Sequence, residues 1–446
     1  MLTYQLPEKN KYYALYRAIR GDILGGSLKH GDKLPSKRGL SEHLGLSVIT
    51  VQTAYEQLLA EGYVTAEERR GYFVADVANV IPCGSEKTAH THSAQEEKAL
   101  KTDCIYDLCS GHAPAKLFPF SVWAKLMRET LSEEGEHLLE RVPCDGDYAL
   151  REAIAAYLYR FRGFKVNPRY IVIGAGAEYL YGVIVQLLGR ERAYAVENPG
   201  YGRVSRAYAL NGARCAYIPV DDRGVITEKV EESGACALHV SPSHQYPTGA
   251  VMPAANRSRL IGWAERTGAY IIEDDYDSEF RLFGKPLQTM AGMNGDRVIY
   301  LNTFSKTLAP SMRLGYMVLP PVLYARYLEI YAESANVVPL FEQKTLAKML
   351  NGGYFERHVN RLKNYYRGVR AKLFEKIEEL PVNKEIIETG GGLHFNLRLP
   401  DFESDDAIKR AAGERGVKIK CLSDYLLEDA DGYSKVAVVN YSGVEL

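Results

Sequence analysis

Three apolar, β-prone runs in this chain each stop abruptly at a turn rich in chemistry. Tyr170-Ile-Val-Ile gives way to Gly174-Ala-Gly176-Ala177-Glu178-Tyr179 and then to an apolar, helix-like stretch over 180–188. Ala269-Tyr-Ile-Ile-Glu runs into Asp274, Asp275, Tyr276 and Asp277. Val298-Ile-Tyr-Leu301 runs into Thr303-Phe-Ser-Lys306-Thr-Leu-Ala-Pro-Ser-Met-Arg313. Strands ending in functional turns and alternating with helices are the units of an open α/β sheet, which binds its ligands at the carboxyl edge.

The residues at these ends point to one kind of ligand. Lys306 sits among hydroxyls with an arginine downstream. A lysine amine must lose its proton to attack an aldehyde, and desolvation beside cations lowers its pKa. Thr303, Ser305 and Arg313 offer hydroxyl and guanidinium donors for a phosphate. Gly174-Ala-Gly176-Ala177, between strand and helix, offers free backbone N–H groups for the same purpose. Tyr179 replaces the third glycine of a dinucleotide fingerprint, so that reading is weak. A carboxylate beside a pyridine nitrogen keeps it protonated, and a tyrosine can bond the ring's phenolic oxygen. These roles go to Asp274 and Tyr276, with Asp275 as the alternative carboxylate. The layout suits pyridoxal 5'-phosphate (PLP) held by Lys306 as a Schiff base. No histidine cluster is visible beside the aspartates, so no metal site is expected.

The first 75 residues read as a separate unit. Tyr12, Leu15, Ile19 and Ile23 recur at helical spacing up to Gly25-Gly26. Ser36 caps a short helix through Leu40 and Leu44, stopped by Gly45; Ser47 caps another carrying Val51, Tyr55, Leu58 and Leu59, stopped at Gly62. A hairpin follows, with Glu67-Glu-Arg69-Arg70-Gly71 at its tip. Two helices joined by a tight turn, then a wing, form a DNA-reading unit. Lys37, Arg38, Thr50, Gln52 and Thr53 are the expected contacts from the helices, and Arg69 and Arg70 those from the wing. Residues 1–75 carry only a slight excess of Lys and Arg over Asp and Glu, which implies a basic face rather than a basic domain.

Composition sets bounds. At 446 residues the chain exceeds one ordinary core, and a net charge of −1 gives no hint of bulk polyanion binding. Seven cysteines without paired spacing fit a reducing compartment. Neither a cationic, apolar leader nor a run of membrane-spanning length is present, so a cytoplasmic location is expected. Residues 76–104 are rich in polar residues and read as a flexible linker, with His90 and His92 as solvated side chains. The expected domains are 1–75, a winged helix-turn-helix; 76–104, the linker; and 105–446, the α/β effector domain.

Residues 105–446 resemble a fold-type I, aspartate-aminotransferase-like PLP domain. The matching stretches are Leu117-Phe-Pro119, Ala149-Leu-Arg-Glu-Ala-Ile154, Glu197-Asn-Pro-Gly-Tyr201, Ser241-Pro-Ser-His-Gln-Tyr-Pro-Thr-Gly249 and the Lys306 run. Residues 1–75 resemble a GntR-type winged helix-turn-helix. Their fusion is similar to the MocR (GabR-like) subfamily of GntR transcriptional regulators. The resemblance implies a mostly parallel sheet with helices on both faces, a small α+β C-terminal domain, and a homodimer, head-to-tail. It implies that Tyr201 stacks on the PLP ring, that Arg203 helps bind an effector, and that Gln245 or Tyr246 lies near the ring oxygen.

Two departures from the pattern matter. Val48 stands where the family has an arginine after the capping serine. The last strand, Val436-Ala-Val-Val-Asn440-Tyr-Ser-Gly443, lacks the arginine that binds a substrate carboxylate in aminotransferases. The implied function is a PLP-dependent regulator binding operator DNA and sensing an amine or amino-acid effector, or PLP itself. The alternative is a working aminotransferase with an accessory winged helix.

Overall fold

The computed structural model describes residues 2–4, 7, 10–77, 105–109, 111, 114–284, 286–388 and 391–445. The chain divides into two compact units, Met1–Lys101 and Thr102–Leu446. The expected linker, with His90 and His92, lies outside the described residues from 78 onward.

The first unit is a three-helix winged helix-turn-helix: α1 (Lys11–Leu24), α2 (Lys37–Leu44), α3 (Val48–Ala60), β1 (Val64–Glu67) and β2 (Gly71–Val74). Ser36 accepts from Gly39 N and Ser47 from Thr50 N, so both helices begin on a serine cap. Gly45 ends α2 at φ 63°, a left-handed position that favours glycine. The wing is tied back by Leu34 N donating to Tyr72 O at 2.9 Å. Leu15, Ile19, Ile23, Leu40, Val51, Tyr55 and Leu58 form the core. Two expected core positions lie outside it. Tyr12, in the first turn of α1, and Leu59 are exposed, since Leu59 stands about 100° round the helix from Leu58. Tyr16 takes the inward place, with its hydroxyl on Glu61.

The second unit begins with β3 (Tyr106–Asp107). Its large sheet is built from β4 (Ile171–Gly174), β5 (Ala193–Asn198), β6 (Arg214–Asp221), β7 (Gly224–Val225), β8 (Ala237–Val240), β9 (Tyr270–Asp274), β10 (Val298–Thr303) and β11 (Gly315–Val318). Among the described residues the strand order is β4-β11-β10-β9-β8-β5-β6-β7. The contiguous run from β10 through β9, β8 and β5 to β6 is parallel, while β11 is antiparallel to both its neighbours. Alternation splits each strand between two apolar layers. Ile271, Tyr300 and Tyr316 pack against helices Tyr148–Arg162 and Ala254–Thr267. Ile272, Leu301 and Met317 pack against helices Ala177–Leu188 and Gly202–Leu210. This is the expected mostly parallel sheet with helices on both faces.

A smaller sheet follows, from β12 (Glu385–Ile387), β13 (His394–Arg398), β15 (Lys420–Cys421) and β16 (Val436–Asn440), ordered β12-β13-β16-β15; β14 (Val417–Lys418) pairs instead with β3. The helix Tyr354–Glu378 contributes Leu362, Tyr366 and Val369 to the core of this part. No helix among the described residues is long and apolar enough to cross a membrane.

Candidate functional site

The carboxyl ends of the parallel strands converge on a cavity of about 270 Å³. Glu197 comes from β5, Ser241 from just past β8, Asp274 from the last position of β9 and Thr303 from the last of β10. Ala177 opens the helix after β4, and the small sheet adds His394 and Asn440. Strand termini far apart in sequence thus face one volume, as open α/β sheets require of their ligand sites.

Lys306 enters this cavity with Nζ donating to Gly111 O at 2.7 Å. A Cβ on residue 111 would collide with that amine, so glycine leaves room for it. Burial depresses the Lys306 pKa, Asp277 opposes the shift, and Arg203 reinforces it.

Asp274 and Asp275, adjacent in sequence, face opposite sides of the sheet. Asp275 is bonded by Arg162, at 3.0 Å, and by the Tyr300 hydroxyl, at 2.7 Å. Asp274 lines the cavity. Its Oδ2 accepts from the Tyr181 hydroxyl at 2.5 Å and lies 3.3 Å from His239 Nε2, while His239 Nδ1 meets the Tyr208 hydroxyl at 2.7 Å. Among the described residues the buried Oδ1 has no hydrogen-bond partner. Neither Tyr181 nor His239 was foreseen, because each lies inside a regular element with no local motif around it.

The other expected residues are placed as follows. Thr303, Ser305, Ala177 and Arg313 line the cavity, and Arg313 donates to Ala175 O at 2.9 Å. Gly176 has φ 85°, and a Cβ there would lie 3.0 Å from the Arg313 guanidinium. Tyr276 lines the cavity and donates to His244 O at 3.2 Å. Tyr201 does so at 47 % exposure, its ring edge-on to Tyr246 and beneath the Arg203 guanidinium. Gln245 turns away: its amide nitrogen donates to Pro199 O and Tyr246 O, and its oxygen accepts from Thr248. Tyr246, the other residue left open by the sequence, lines the cavity and shares a 2.7 Å hydrogen bond with Tyr425.

The sequence showed no histidine cluster beside the aspartates, yet folding makes one. His244 Nδ1 lies 3.0 Å from Asp277 Oδ2, and the His244 and His394 rings are 4.3 Å apart. Donor atoms of the three buried residues lie within 4.8 Å of one another, a spacing that can hold a cation. Burial, then His244 and Lys306, hold His394 well below its ordinary pKa. His244 and His394 are 150 positions apart, a separation that hid the cluster. Asn440 ends β16 and lines the cavity, and among the described residues the guanidinium groups that reach it are Arg203 and Arg313.

In the first unit, Arg38 is exposed and forms no ion pair among the described residues. Lys37 lies over the Tyr72 ring. Thr50, Gln52 and Thr53 fall on α3, with Thr53 exposed and the other two half-buried. Arg69, at φ 61°, and Arg70, paired with Glu67, stand in the exposed turn between the wing strands.

Comparison with known proteins gives two family matches. "Aminotransferase class I and II" matches residues 104–414, and "Bacterial regulatory proteins, gntR family" matches residues 11–74. The HTH-type transcriptional regulator YdeL of Bacillus subtilis, itself described as uncharacterized, is 36 % identical, with 92 % of this chain and 88 % of that protein covered. The probable rhizopine catabolism regulatory protein MocR of Rhizobium meliloti is 31 % identical, with 97 % and 90 % covered. Among solved structures, the kynurenine aminotransferase of Pyrococcus horikoshii, in complex with PMP, superimposes with a TM-score of 0.68. It is 26 % identical, with 78 % of this chain and 88 % of that one covered.

Proposed function

The chain belongs to the MocR subfamily of gntR-family regulators, in which a DNA-reading winged helix precedes an aminotransferase-like domain, and we propose that its cavity holds PLP and senses an amine. The effector is an amine, an amino acid or PLP itself, and its binding alters the chain's hold on operator DNA. The protein acts as a head-to-tail homodimer in the cytoplasm.

One observation carries the cofactor assignment: a desolvated lysine amine and an unpartnered buried carboxylate oxygen share one cavity. Lys306 would hold the cofactor covalently. The Asp274 carboxylate, anchored by Tyr181 and His239, would hold a proton on the pyridine nitrogen. Arg313, Thr303, Ser305 and the backbone of Gly176 and Ala177 would bind the phosphate where a helix N-terminus adds its dipole. Tyr276 would hydrogen-bond the ring oxygen with Tyr246 near it, Tyr201 would supply an aromatic face, and Arg203 would be available to an effector. When bound, PLP supplies an aldehyde that combines with amines and a ring that withdraws electrons.

Working transamination is the weaker reading. The stretch Val436–Gly443, counterpart of the strand in which aminotransferases carry an arginine for the substrate carboxylate, contains none, and Asn440 at the end of β16 brings no charge to the cavity.

The test is borohydride reduction of the PLP-treated protein followed by peptide mapping. The pyridoxyl group should appear on Lys306, and Lys306→Ala should lose the absorbance of lysine-bound PLP. An unchanged band in that variant contradicts the assignment.

A further inference from the structure

The face that α3 turns outward is unusual for a helix expected to read DNA. Val51, Ala54, Tyr55 and Leu58 are buried against the core, leaving Val48, Ile49, Gln52, Thr53 and Glu56 along the opposite side. The sequence of α3 contains no lysine or arginine. Its first two residues are apolar and exposed, Val48 at 40 % and Ile49 at 76 %.

The polar side chains of the stripe, and neighbouring Thr50, are already engaged. The Thr50 hydroxyl pairs with Ser47 Oγ at 2.8 Å, the Thr53 hydroxyl donates to Ile49 O at 3.0 Å, and Gln52 Nε2 donates to Glu56 Oε1 at 2.7 Å. What remains directed outward from the first turn is mainly aliphatic carbon. The cations of this unit lie elsewhere, among them Lys37 and Arg38 on α2 and Arg69 and Arg70 in the wing, where they suit phosphates.

In a helix-turn-helix the first residues of the second helix meet the base edges of the major groove. Guanine is read there by bidentate arginine or lysine, and this helix has neither. The apolar group that a base pair offers in that groove is the thymine 5-methyl. We infer that Val48 and Ile49 read thymine methyl groups, so that the operator carries A·T pairs opposite the first turn of α3. This rests on the DNA-binding reading of the first unit and adds a base preference to it. Val48, which departs from the family's arginine, is then part of a different code rather than a lost contact.

The experiment is selection of the full-length protein on random duplexes, then affinity measurement on the enriched duplex with each thymine of the core replaced by deoxyuridine. That replacement removes one methyl and keeps every hydrogen bond. Thymines should be enriched, and deoxyuridine at the contacted positions should weaken binding about four-fold per methyl, the effect of burying one such group. At the position that Ile49 reads, the loss should vanish in Ile49→Ala, a surface variant that leaves the core intact. Val48→Arg should move the enrichment toward guanine. Guanine enrichment by the parent, or equal affinity for thymine and deoxyuridine duplexes, overturns the inference while leaving DNA binding in place. Enrichment of no sequence at all overturns the DNA-binding reading as well.

Discussion

The Tyr181 hydroxyl donates to Asp274 Oδ2 at 2.5 Å from the helix that follows β4, clamping a carboxylate that ends β9. Burial and the neighbouring Asp274 hold the Tyr181 pKa well above its ordinary value, so it stays a donor at any working pH. A hydrogen bond to a charged group contributes about 1.5–3 kcal/mol. Tyr181→Phe should therefore weaken PLP binding roughly tenfold or more, measured by titration of the purified protein. Parent-like affinity would mean that Asp274 needs no anchor there.

Lys306 and Asp277 set a pH response. Burial lowers the Lys306 pKa below 10.5 and Asp277 raises it, so the amine is neutral over a wider range than a free lysine. Removing the opposing charge in Asp277→Asn should lower the Lys306 pKa further. Capture of PLP should then persist to lower pH than in the parent, as followed by absorbance against pH. A midpoint moved upward is the result that sinks this account.

Glu197, buried on the cavity wall, has its pKa raised to about 8, chiefly by burial. The folded state therefore holds this proton more tightly than the unfolded chain, whose carboxyl titrates near 4.5. The resulting stability is complete below about 4.5 and is lost as pH rises through about 8. Apo protein should lose stability across that window relative to Glu197→Gln, which carries no titrating proton. Parallel melting-temperature profiles for the two proteins would count against it.

Arg38 is exposed on α2 and has no ion pair among the described residues. Its replacement by alanine should weaken operator binding by about 1–3 kcal/mol if it reads a base. A contact to phosphate would instead weaken all sequences alike and reduce the salt slope by about one. Equal affinity of variant and parent removes Arg38 from the interface.

What the sequence revealed depended on whether its signal was local. Ser36 and Ser47 cap helices within three residues, and Asp274 and Lys306 follow β-prone runs directly, so each could be read from its neighbours. Which of Asp274 and Asp275 faces the cavity follows from the two-residue period of a strand, which turns Asp275 toward Arg162. Gln245 and Tyr246 were harder, since a turn rather than a strand decides which one faces the cavity. Tyr181, His239 and the His244–Asp277–His394 group carried no local signal. Their meaning comes from contacts between elements up to 150 positions apart, which only the packing of helices and two sheets creates. Val48 was visible as a departure, but the exposed apolar patch it forms with Ile49 required the packed helix.

The central claim is that a PLP-holding cavity and a DNA-reading head work as one device. It is tested most directly by measuring binding of the full-length protein to DNA from upstream of its own gene, against scrambled DNA, with and without PLP and at two salt concentrations. The account predicts preference for the upstream DNA, a change in that affinity with PLP, and loss of the change in Lys306→Ala. Specific binding that ignores PLP in both proteins would contradict it.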